Sequence, residues 1–540
     1  MDDGATDPAG AFLPPSRLPP WGVADLPEPE PLGSRSWWSF IGPGIVMCGI
    51  AIAGGEWLVG ADITARYGGG LMWIATLAIV VQLFYNLECG RYALYCGEPM
   101  ITGFMRLWPG PAAWIGIVFV LSIGALIPAM STNAAAVAVA AWLGRPPMAA
   151  DAWMVKLVAY LLLGLVTLPI LVGGKVYTML QAIFTIKVVV VLGFCLLMGL
   201  LFVDRERWWL IFSGFLRFGT VPITDADGRE RVVNALGHWA ATGTWPRLDL
   251  QNIALIGAFA GYAGAGGLSN ATYANYVRDK GWGMGARVGA IPSLVGGRTI
   301  TLSHLGKVFP VTPDNLRRFR GWWKYVVTDQ VLVWMPGCFM GMALPGLVSL
   351  EFARHSTLYA HKKDLDWAQA LISADGIRNG IADPRLAQIL WTATLVVGMV
   401  VLVPSQLAVV EDFARKWTDI VWSGVSRMRD TARPGAIRSL YYGILAFYVV
   451  WSYFCAWLFN TYGSPKLMAT FIANFNNLAL GGTAFAVLAV NRRFLPPELR
   501  PGRLAVAGLW ACGIFYLGLM ALVFRVNSWP MIHAWLTGAA

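Results

Sequence analysis

The chain is a succession of long apolar runs separated by polar loops. A helix needs about 20 predominantly apolar residues to cross the hydrocarbon core of a bilayer, and most of these runs are that long. The pattern therefore predicts an all-α polytopic membrane protein with about eleven transmembrane helices. We call them spans 1 to 11, at about 40–62, 70–95, 112–143, 153–173, 177–203, 251–275, 325–350, 387–410, 437–460, 467–491 and 504–525.

Two of these runs are interrupted by glycine. Span 1 contains Ala53-Gly54-Gly55-Glu56, and span 6 has five glycines between 257 and 267. Glycines in a membrane helix can serve close helix packing. Interruptions at corresponding positions, five spans apart, favour instead two inverted repeats whose broken helices frame a site at the membrane midplane.

This reading divides the chain into five segments. Residues 1–37 are rich in Pro, Asp and Glu and predict a disordered cytoplasmic tail. The predicted order is then a first five-helix repeat over 38–203, an extracytoplasmic loop over 204–250, a second inverted repeat over 251–491, and an eleventh helix with its tail over 492–540.

The charge pattern gives an orientation. The chain has 41 basic and 30 acidic residues, and its arginines and lysines concentrate in the segments after spans 6, 8 and 10. Basic loops stay on the cytoplasmic side of a membrane, which predicts a cytoplasmic N-terminus in the cell inner (plasma) membrane. The excess of positive charge is thus accounted for without a nucleic-acid partner.

No catalytic pattern is evident. The seven cysteines and five histidines lack metal-type spacing, and the chain has no phosphate loop, nucleophile elbow or paired catalytic carboxylates. We therefore expect neither an enzyme nor a bound cofactor. The partners that remain are the lipid bilayer and a transported cation or small solute.

Several polar residues lie at membrane depth. Glu56 is the most telling, because an ionisable side chain there costs about 2.5 kcal/mol or more and normally faces protein or a water-filled path. Lys187 lies near the middle of span 5, where it either snorkels to an interface or exchanges protons. Asn474 and Asn477 lie on one face of span 10, where they either join helices or bind substrate.

Span 8 also contains polar residues that either join helices or bind substrate. Ser405-Gln406 could join helices or contact substrate, whereas Glu411-Asp412 reads as a solvated pair at the cytoplasmic end.

The stretch that begins Gly42-Pro43-Gly44 and ends at 65–73 with Ala-Arg-Tyr-Gly-Gly-Gly-Leu-Met-Trp resembles the first two helices of the Nramp divalent-metal transporters. Helix order and length are similar over most of 39–525, and the motifs match over 42–73. The resemblance implies a LeuT-type fold, with two five-helix inverted repeats plus extra helices, and import of divalent metals together with protons.

The sequence departs from that family at the family's metal-binding motifs. Its Asp-Pro-Gly-Asn motif is replaced by Ala53-Gly54-Gly55-Glu56, and its Met-Pro-His motif is missing from 259–272. Without a thioether ligand, a hard ion such as Mg²⁺ or Mn²⁺ is the expected dication, with Glu56 as its metal ligand. The predicted substrate-binding residues are Ala53, Gly54, Gly55, Glu56, Gly261, Ala263, Gly264, Ser269, Asn270, Asn474 and Asn477.

Two other functions stay open. In some amino-acid transporters of this fold, a lysine on helix 5 replaces a sodium ion, and Lys187 is similar in placement. The chain would then be a proton-coupled transporter of a small organic solute such as an amino acid or carboxylate, with Lys187 as its coupling residue. A non-transporting sensor with the transporter fold, as in the ethylene-signalling plant relative of Nramp, is the third reading.

Overall fold

The structure is a computed structural model. It describes residues 10–31, 41–127, 129–171, 176–224, 230–291, 302–360, 370–429, 436–462, 465–530 and 533. Within these ranges the protein is mostly helical, which confirms the all-α fold class. Eight helices are long and apolar enough to cross a membrane, and they contain spans 2, 4, 5 and 7 to 11: Met72–Cys96, Ala149–Ile170, Val176–Phe202, Pro313–His355, Pro384–Gly424, Ala436–Leu458, Thr470–Phe494 and Arg503–Ser528.

Spans 1 and 6 are broken, as predicted. Span 1 consists of an α-helix Pro43–Ala51, a π-helical turn Gly54–Val59 and an α-helix Gly60–Tyr67. Span 6 consists of helix Ile253–Tyr262, a 3₁₀ turn Gly267–Ser269 and helix Tyr273–Lys280. We call the two parts of each span its first and second halves.

Span 3 is broken as well, which the hydropathy pattern did not predict. Its helices Pro111–Leu121 and Ala129–Leu143 are separated by a 3₁₀ turn, Ile123–Leu126. Ile127 then has an extended backbone, with φ −106° and ψ 116°. Pro128 is the signal that was available, because proline disfavours helical geometry in the preceding residue and has no N–H to donate.

Shorter elements complete the fold. Span 7 is continuous from helix Pro313–Thr328 to helix Met335–Phe352 through a π-helical segment, Asp329–Trp334. The remaining helices are Met100–Arg106, Leu168–Leu171, Arg205–Gly214, Ala235–Thr242, Gly285–Val288, Thr357–Ala360, Ile372–Gly380 and Ser426–Arg429.

The segment between spans 5 and 6 closes over the ends of spans 1 and 6. Its antiparallel strands Thr220–Thr224 and Glu230–Asn234 form a hairpin. Glu230 accepts hydrogen bonds from Arg66 in span 1 (3.4 Å) and from Asn252 at the start of span 6 (3.1 Å). Asn252 also donates to the Tyr67 hydroxyl at 3.0 Å. We call this side of the molecule the hairpin face, and the side on which span 1 begins the tail face.

The N-terminal segment differs from the predicted disordered tail. Residues 10–31 form an extended strap across the tail face, and its Gly22–Val23 pairs in parallel with Lys307–Val308. Trp21, 5 % exposed, packs between the rings of Tyr95 and Phe494. The proline-rich, acidic composition suggested disorder, but a few apolar side chains bury enough surface to hold the strap in place. Residues 1–9 and 32–40 lie outside the described ranges.

Candidate substrate site between the broken helices

The break in span 6 requires glycine. Gly264, Gly266 and Gly267 have φ values of 92°, 72° and 61°, a region that other residues rarely adopt. A Cβ on Gly264 would also lie 2.6 Å from the Gln82 side-chain oxygen, and one on Gly267 would lie 2.5 Å from that of Asn476. The unwound backbone is therefore in direct contact with spans 2 and 10.

Gln82 in span 2 holds the break open. Its amide nitrogen donates to the carbonyl of Ala263 at 2.5 Å, and its oxygen accepts from the backbone N–H of Gly266 at 3.3 Å and from Asn270 at 3.0 Å. Gln82 itself is fully buried. Backbone groups freed by unwinding must find partners inside a membrane. The Gln82 side chain is the partner of two of them, the Ala263 carbonyl and the Gly266 N–H.

A chain of buried polar groups continues from there to the start of span 1. Asn270 donates to Asn86 at 2.9 Å, and Asn86 donates to Gln330 at 3.0 Å. Gln330 donates to Asp329 at 3.2 Å, and Asp329 accepts from the backbone N–H of Gly42 at 3.3 Å. The π-helical segment of span 7 thus links the two broken helices.

Lys187 connects three spans. Its side chain is completely buried, and its ammonium group donates to the carbonyl of Gly49 in span 1 and to the hydroxyl of Ser405 in span 8, both at 2.7 Å. Gly49 lies in the last turn of the first half of span 1, where helix carbonyls lose their intrahelical partners. The lysine therefore does not snorkel to an interface.

The three breaks surround a cavity of about 90 Å³. It has room for a few water molecules or a small solute. Spans 1, 3, 6, 8 and 10 all contribute to its wall: Ile50, Ala51, Ala53, Gly124, Ala125, Ile127, Met130, Tyr262, Gly264, Ala265, Ser269, Ser405, Gln406, Ala408, Val409, Asp412, Ile472 and Asn476. Most of these side chains are apolar, and the polar ones come chiefly from span 8.

The side-chain amide of Gln406 has a hydrogen-bond donor at this wall that no described residue pairs with. Its amide oxygen accepts from the backbone N–H of Ser131 at 3.1 Å, which fixes the orientation of the amide. Its amide nitrogen is buried and has no hydrogen-bond partner among the described residues. A buried donor left without a partner costs free energy, so a ligand that accepts a hydrogen bond here is favoured.

Asp412, by contrast, is already satisfied. Its carboxylate accepts from Ser269 at 3.1 Å, from Thr272 at 2.6 Å and from Lys416 at 2.7 Å. The carboxylate charge at this end of the cavity is therefore balanced by a lysine one helical turn away.

Towards the tail face, span 8 and the second half of span 6 are joined by buried ion pairs. Arg278 donates to Asp419 at 2.7 and 3.2 Å and to Asp279 at 2.8 Å, while Arg415 pairs with Asp279 and with Glu411. The sequence had favoured a solvated Glu411-Asp412 pair, and this was wrong: both side chains are buried. Their basic partners, Arg415 and Lys416, lie one turn further along span 8 and are buried with them, because the helix continues to Gly424 rather than ending near 410.

The predicted site residues divide into three groups. Ala53, Gly264 and Ser269 line the cavity. Ala263 and Asn270 are hydrogen-bonded to Gln82 just behind it, and a Cβ on Gly261 would lie 2.3 Å from the Ala473 carbonyl, so this glycine serves close packing. Gly54, Gly55 and Glu56 are described only as part of the π-helical backbone, and the Glu56 side chain lies outside the described residues.

The span 10 asparagines join helices. Asn474 donates to the carbonyl of Ala254 at 3.0 Å and Asn477 to that of Gly257 at 2.9 Å, both in the first half of span 6. Their neighbour Asn476 is the one that lines the cavity. Gln82, Asn86, Asp329 and Gln330 were not singled out from the sequence, although polar residues within apolar runs were the available signal.

The described residues contain no group of three or more His, Cys, Asp or Glu side chains that could hold a metal ion. A metal at the cavity would depend on backbone carbonyls, on amide and hydroxyl oxygens, and on Asp412.

Comparison with known proteins gives a fold but no family. No family model matches the chain, and no curated protein sequence matches it. Among solved structures, the manganese transporter of Eremococcus coleocola, in complex with an aromatic bis-isothiourea compound, aligns over 96 % of this chain and 95 % of its own, with a TM-score of 0.60 and 12 % identity. At that identity the likeness shows the fold alone.

Two more distant structures also align. MhsT in complex with L-phenylalanine covers 91 % of this chain and 99 % of its own, with a TM-score of 0.46 and 13 % identity. Mhp1, a nucleobase-cation-symport-1 family transporter, covers 95 % and 96 %, with a TM-score of 0.45 and 13 % identity. The alignment with the manganese transporter shows that the protein has the LeuT fold, and its apolar helices make it a multi-pass membrane protein.

Proposed function

We propose that this protein is a proton-coupled secondary transporter of a small organic solute that carries a hydrogen-bond acceptor, such as a carboxylate or a carbonyl. The observation that carries the proposal is the Lys187 ammonium group, which joins span 1 to span 8 beside the cavity. A protonatable cation in that position supplies coupling without a bound metal ion.

The transport mechanism is alternating access. Spans 1 and 6 move against a scaffold that includes spans 3, 4, 8 and 9, and the solute binds where the broken helices meet. Lys187 reaches both groups, because Gly49 belongs to span 1 and Ser405 to span 8. When Lys187 loses its proton, its hydrogen bonds lose the assistance of charge, so the contact between span 1 and the scaffold weakens and span 1 is released.

The solute class follows from the cavity wall. Mostly apolar walls with a few convergent polar groups are typical of sites for organic ligands. The Gln406 amide nitrogen has no partner among the described residues, so it can donate to an acceptor on the solute and would repel a cation. The cavity of about 90 Å³ fits a compact molecule of a few heavy atoms, and the freed backbone groups at 264–265 would complete its recognition.

A hard divalent cation such as Mg²⁺ or Mn²⁺ is the second candidate. It is favoured by the oxygen atoms of Ser269, Asp412 and Asn476 in the wall, since hard cations prefer oxygen ligands. Against it, Asp412 is neutralised by Lys416, and the Lys187 ammonium lies beside the same cavity. Glu56 would have to provide the remaining negative charge.

The orientation follows the distribution of basic residues. We propose that the tail face is cytoplasmic, in the plasma membrane, with the hairpin face outside. With a transporter fold and a cavity of this kind, we propose no enzymatic activity.

The test is uptake by purified protein reconstituted in liposomes. Candidate solutes are first found by thermal shift with amino acids, small carboxylates and amides, in parallel with Mg²⁺, Mn²⁺ and Ca²⁺. Uptake of a hit should be driven by an inward pH gradient in the wild type and should lose that dependence in Lys187→Met. Lys156→Met, a lysine substitution in span 4, is the matched control and should behave as the wild type.

A further inference from the structure

A second cavity, of about 410 Å³, lies on the tail face and is unrelated to the transport site. It is lined by Pro15, Ser16, Arg17, Arg106, Trp108 and Arg493. Three parts of the chain meet there: the strap, the connection between spans 2 and 3, and the end of span 10. We call it the arginine pocket.

One arginine of the pocket is structural. Arg106 is almost fully buried and pairs with Glu98 at 2.8 and 2.5 Å. It also donates to the Ser16 hydroxyl at 3.1 Å and to the Pro19 carbonyl at 2.9 Å, which fixes the strap against the helix Met100–Arg106. Its charge is therefore balanced within the protein.

The other two arginines carry unbalanced charge. Arg17 and Arg493 are exposed, and neither guanidinium pairs with a carboxylate among the described residues. The described lining of the pocket contains no acidic side chain. Two guanidinium groups that converge on one cavity form a site for an oxyanion, because their N–H groups match phosphate and carboxylate oxygens in pairs.

The pocket lies at the depth of lipid headgroups. Trp108 is 72 % exposed and directly precedes span 3, whose Ile117 and Phe119 are 41 % and 50 % exposed on the outer surface of the helix bundle. Tryptophan at the end of a membrane helix is typical of the interface between headgroups and hydrocarbon. Basic pockets between helix ends on one face of a membrane protein bind anionic headgroups.

We propose that the arginine pocket binds a phosphate oxyanion, supplied by an anionic phospholipid of the tail-side leaflet, and that the bound phosphate fastens the strap to the end of span 10. The phosphate would lie between Arg17 of the strap and Arg493, with Trp108 at the acyl-chain boundary. Occupancy would stabilise the packing of residues 10–31 on the tail face.

The test uses the full-length protein in detergent micelles, with the thermal unfolding midpoint as the readout. Phosphatidylglycerol should raise the midpoint more than phosphatidylcholine does. The concentration of phosphatidylglycerol needed should increase roughly fivefold in Arg17→Gln and in Arg493→Gln. Arg492→Gln, at an exposed neighbour that does not line the pocket, should leave it unchanged, and Arg493→Lys should restore part of the effect.

Inorganic phosphate distinguishes the source of the oxyanion. If millimolar phosphate protects the protein as well as the lipid does, and the same two variants lose that protection, the site holds and its ligand is a soluble phosphate. Equal effects of the two lipids, with no effect of phosphate, would overturn the proposal. So would an equal loss in Arg492→Gln, because the attraction would then be diffuse surface charge.

Discussion

The Lys187 ammonium lies 2.7 Å from the carbonyl oxygen of Gly49, 138 residues away in the sequence, and this contact closes the first half of span 1 against span 5. The Ser405 hydroxyl completes the pair of acceptors at 2.7 Å. A buried positive charge thus bridges a helix expected to move and a helix expected to stay still. Its protonation state is therefore coupled to the position of span 1.

Lys187→Met should uncouple transport from protons. Methionine fills a similar volume but cannot donate a hydrogen bond to Gly49 or Ser405. A pH gradient can then no longer change the position of span 1 through residue 187. We expect solute exchange between equal concentrations to persist while gradient-driven accumulation falls by at least tenfold, measured with labelled solute in liposomes. Lys187→Arg keeps the charge permanently, so it should also block accumulation; accumulation at the wild-type rate in either variant would contradict the coupling role.

Gln406→Leu should weaken solute binding. The substitution removes the uncommitted N–H at the cavity wall, and a lost hydrogen bond of this kind costs about 1 kcal/mol or more, roughly fivefold in affinity. Binding is measured by isothermal titration. Gln388→Leu, at an exposed position near the start of the same helix, is the control; equal affinities for all three proteins would show that Gln406 does not contact the solute.

Gly264→Ala should damage the span 6 break. Alanine at a φ of 92° is strained by about 1–3 kcal/mol, and its Cβ would meet Gln82. The unfolding midpoint should fall and binding should weaken. Gly482→Ala in span 10, where a Cβ meets nothing within 4 Å, should be neutral or slightly stabilising; a comparable loss there would mean that neither effect is specific to the break.

Asp419→Asn should be strongly destabilising. It leaves Arg278 buried with half of its charge compensation lost, and breaking a buried ion pair costs about 3 kcal/mol or more. Denaturant titration in micelles measures the loss. Arg317→Gln, which removes an exposed pair with Glu28, should have a much smaller effect.

The Glu98–Arg106 pair gives a pH dependence on the tail face. Burial alone would raise the pKa of Glu98, but the Arg106 guanidinium and the backbone N–H of Gly306 outweigh it and hold that pKa below the ordinary value of 4.5. A lowered pKa in the folded state means that Glu98 contributes stability above pH 4.5 and loses it as the pH falls through the folded-state pKa. The difference in unfolding free energy between wild type and Glu98→Gln should therefore be constant near neutral pH and shrink in acid; a difference that grows in acid would refute this.

The sequence predicted the broken helices around the site better than the side-chain contacts within it. Glycine placement predicted the breaks in spans 1 and 6, whereas the central position of Lys187 left open whether its side chain is buried or snorkels to an interface. The Gln82 contacts, with a partner 181 residues away, depend on tertiary packing and leave no local pattern. Asn474 and Asn476 have the same chemistry, and only helix rotation decides which of them faces the cavity. The strap was missed because composition reports the average of a segment, whereas a few buried apolar side chains hold it in place: Ala11, Leu18, Trp21 and Leu26.

The most direct test of the account is proton flux in liposomes that contain the purified protein and a pH-sensitive dye. Addition of an organic solute found by thermal shift should move protons with the solute in the wild type and should move none in Lys187→Met. Solute-independent uptake of Mg²⁺ or Mn²⁺ that survives in Lys187→Met would contradict the account, and the cavity would then be a cation site built around Glu56.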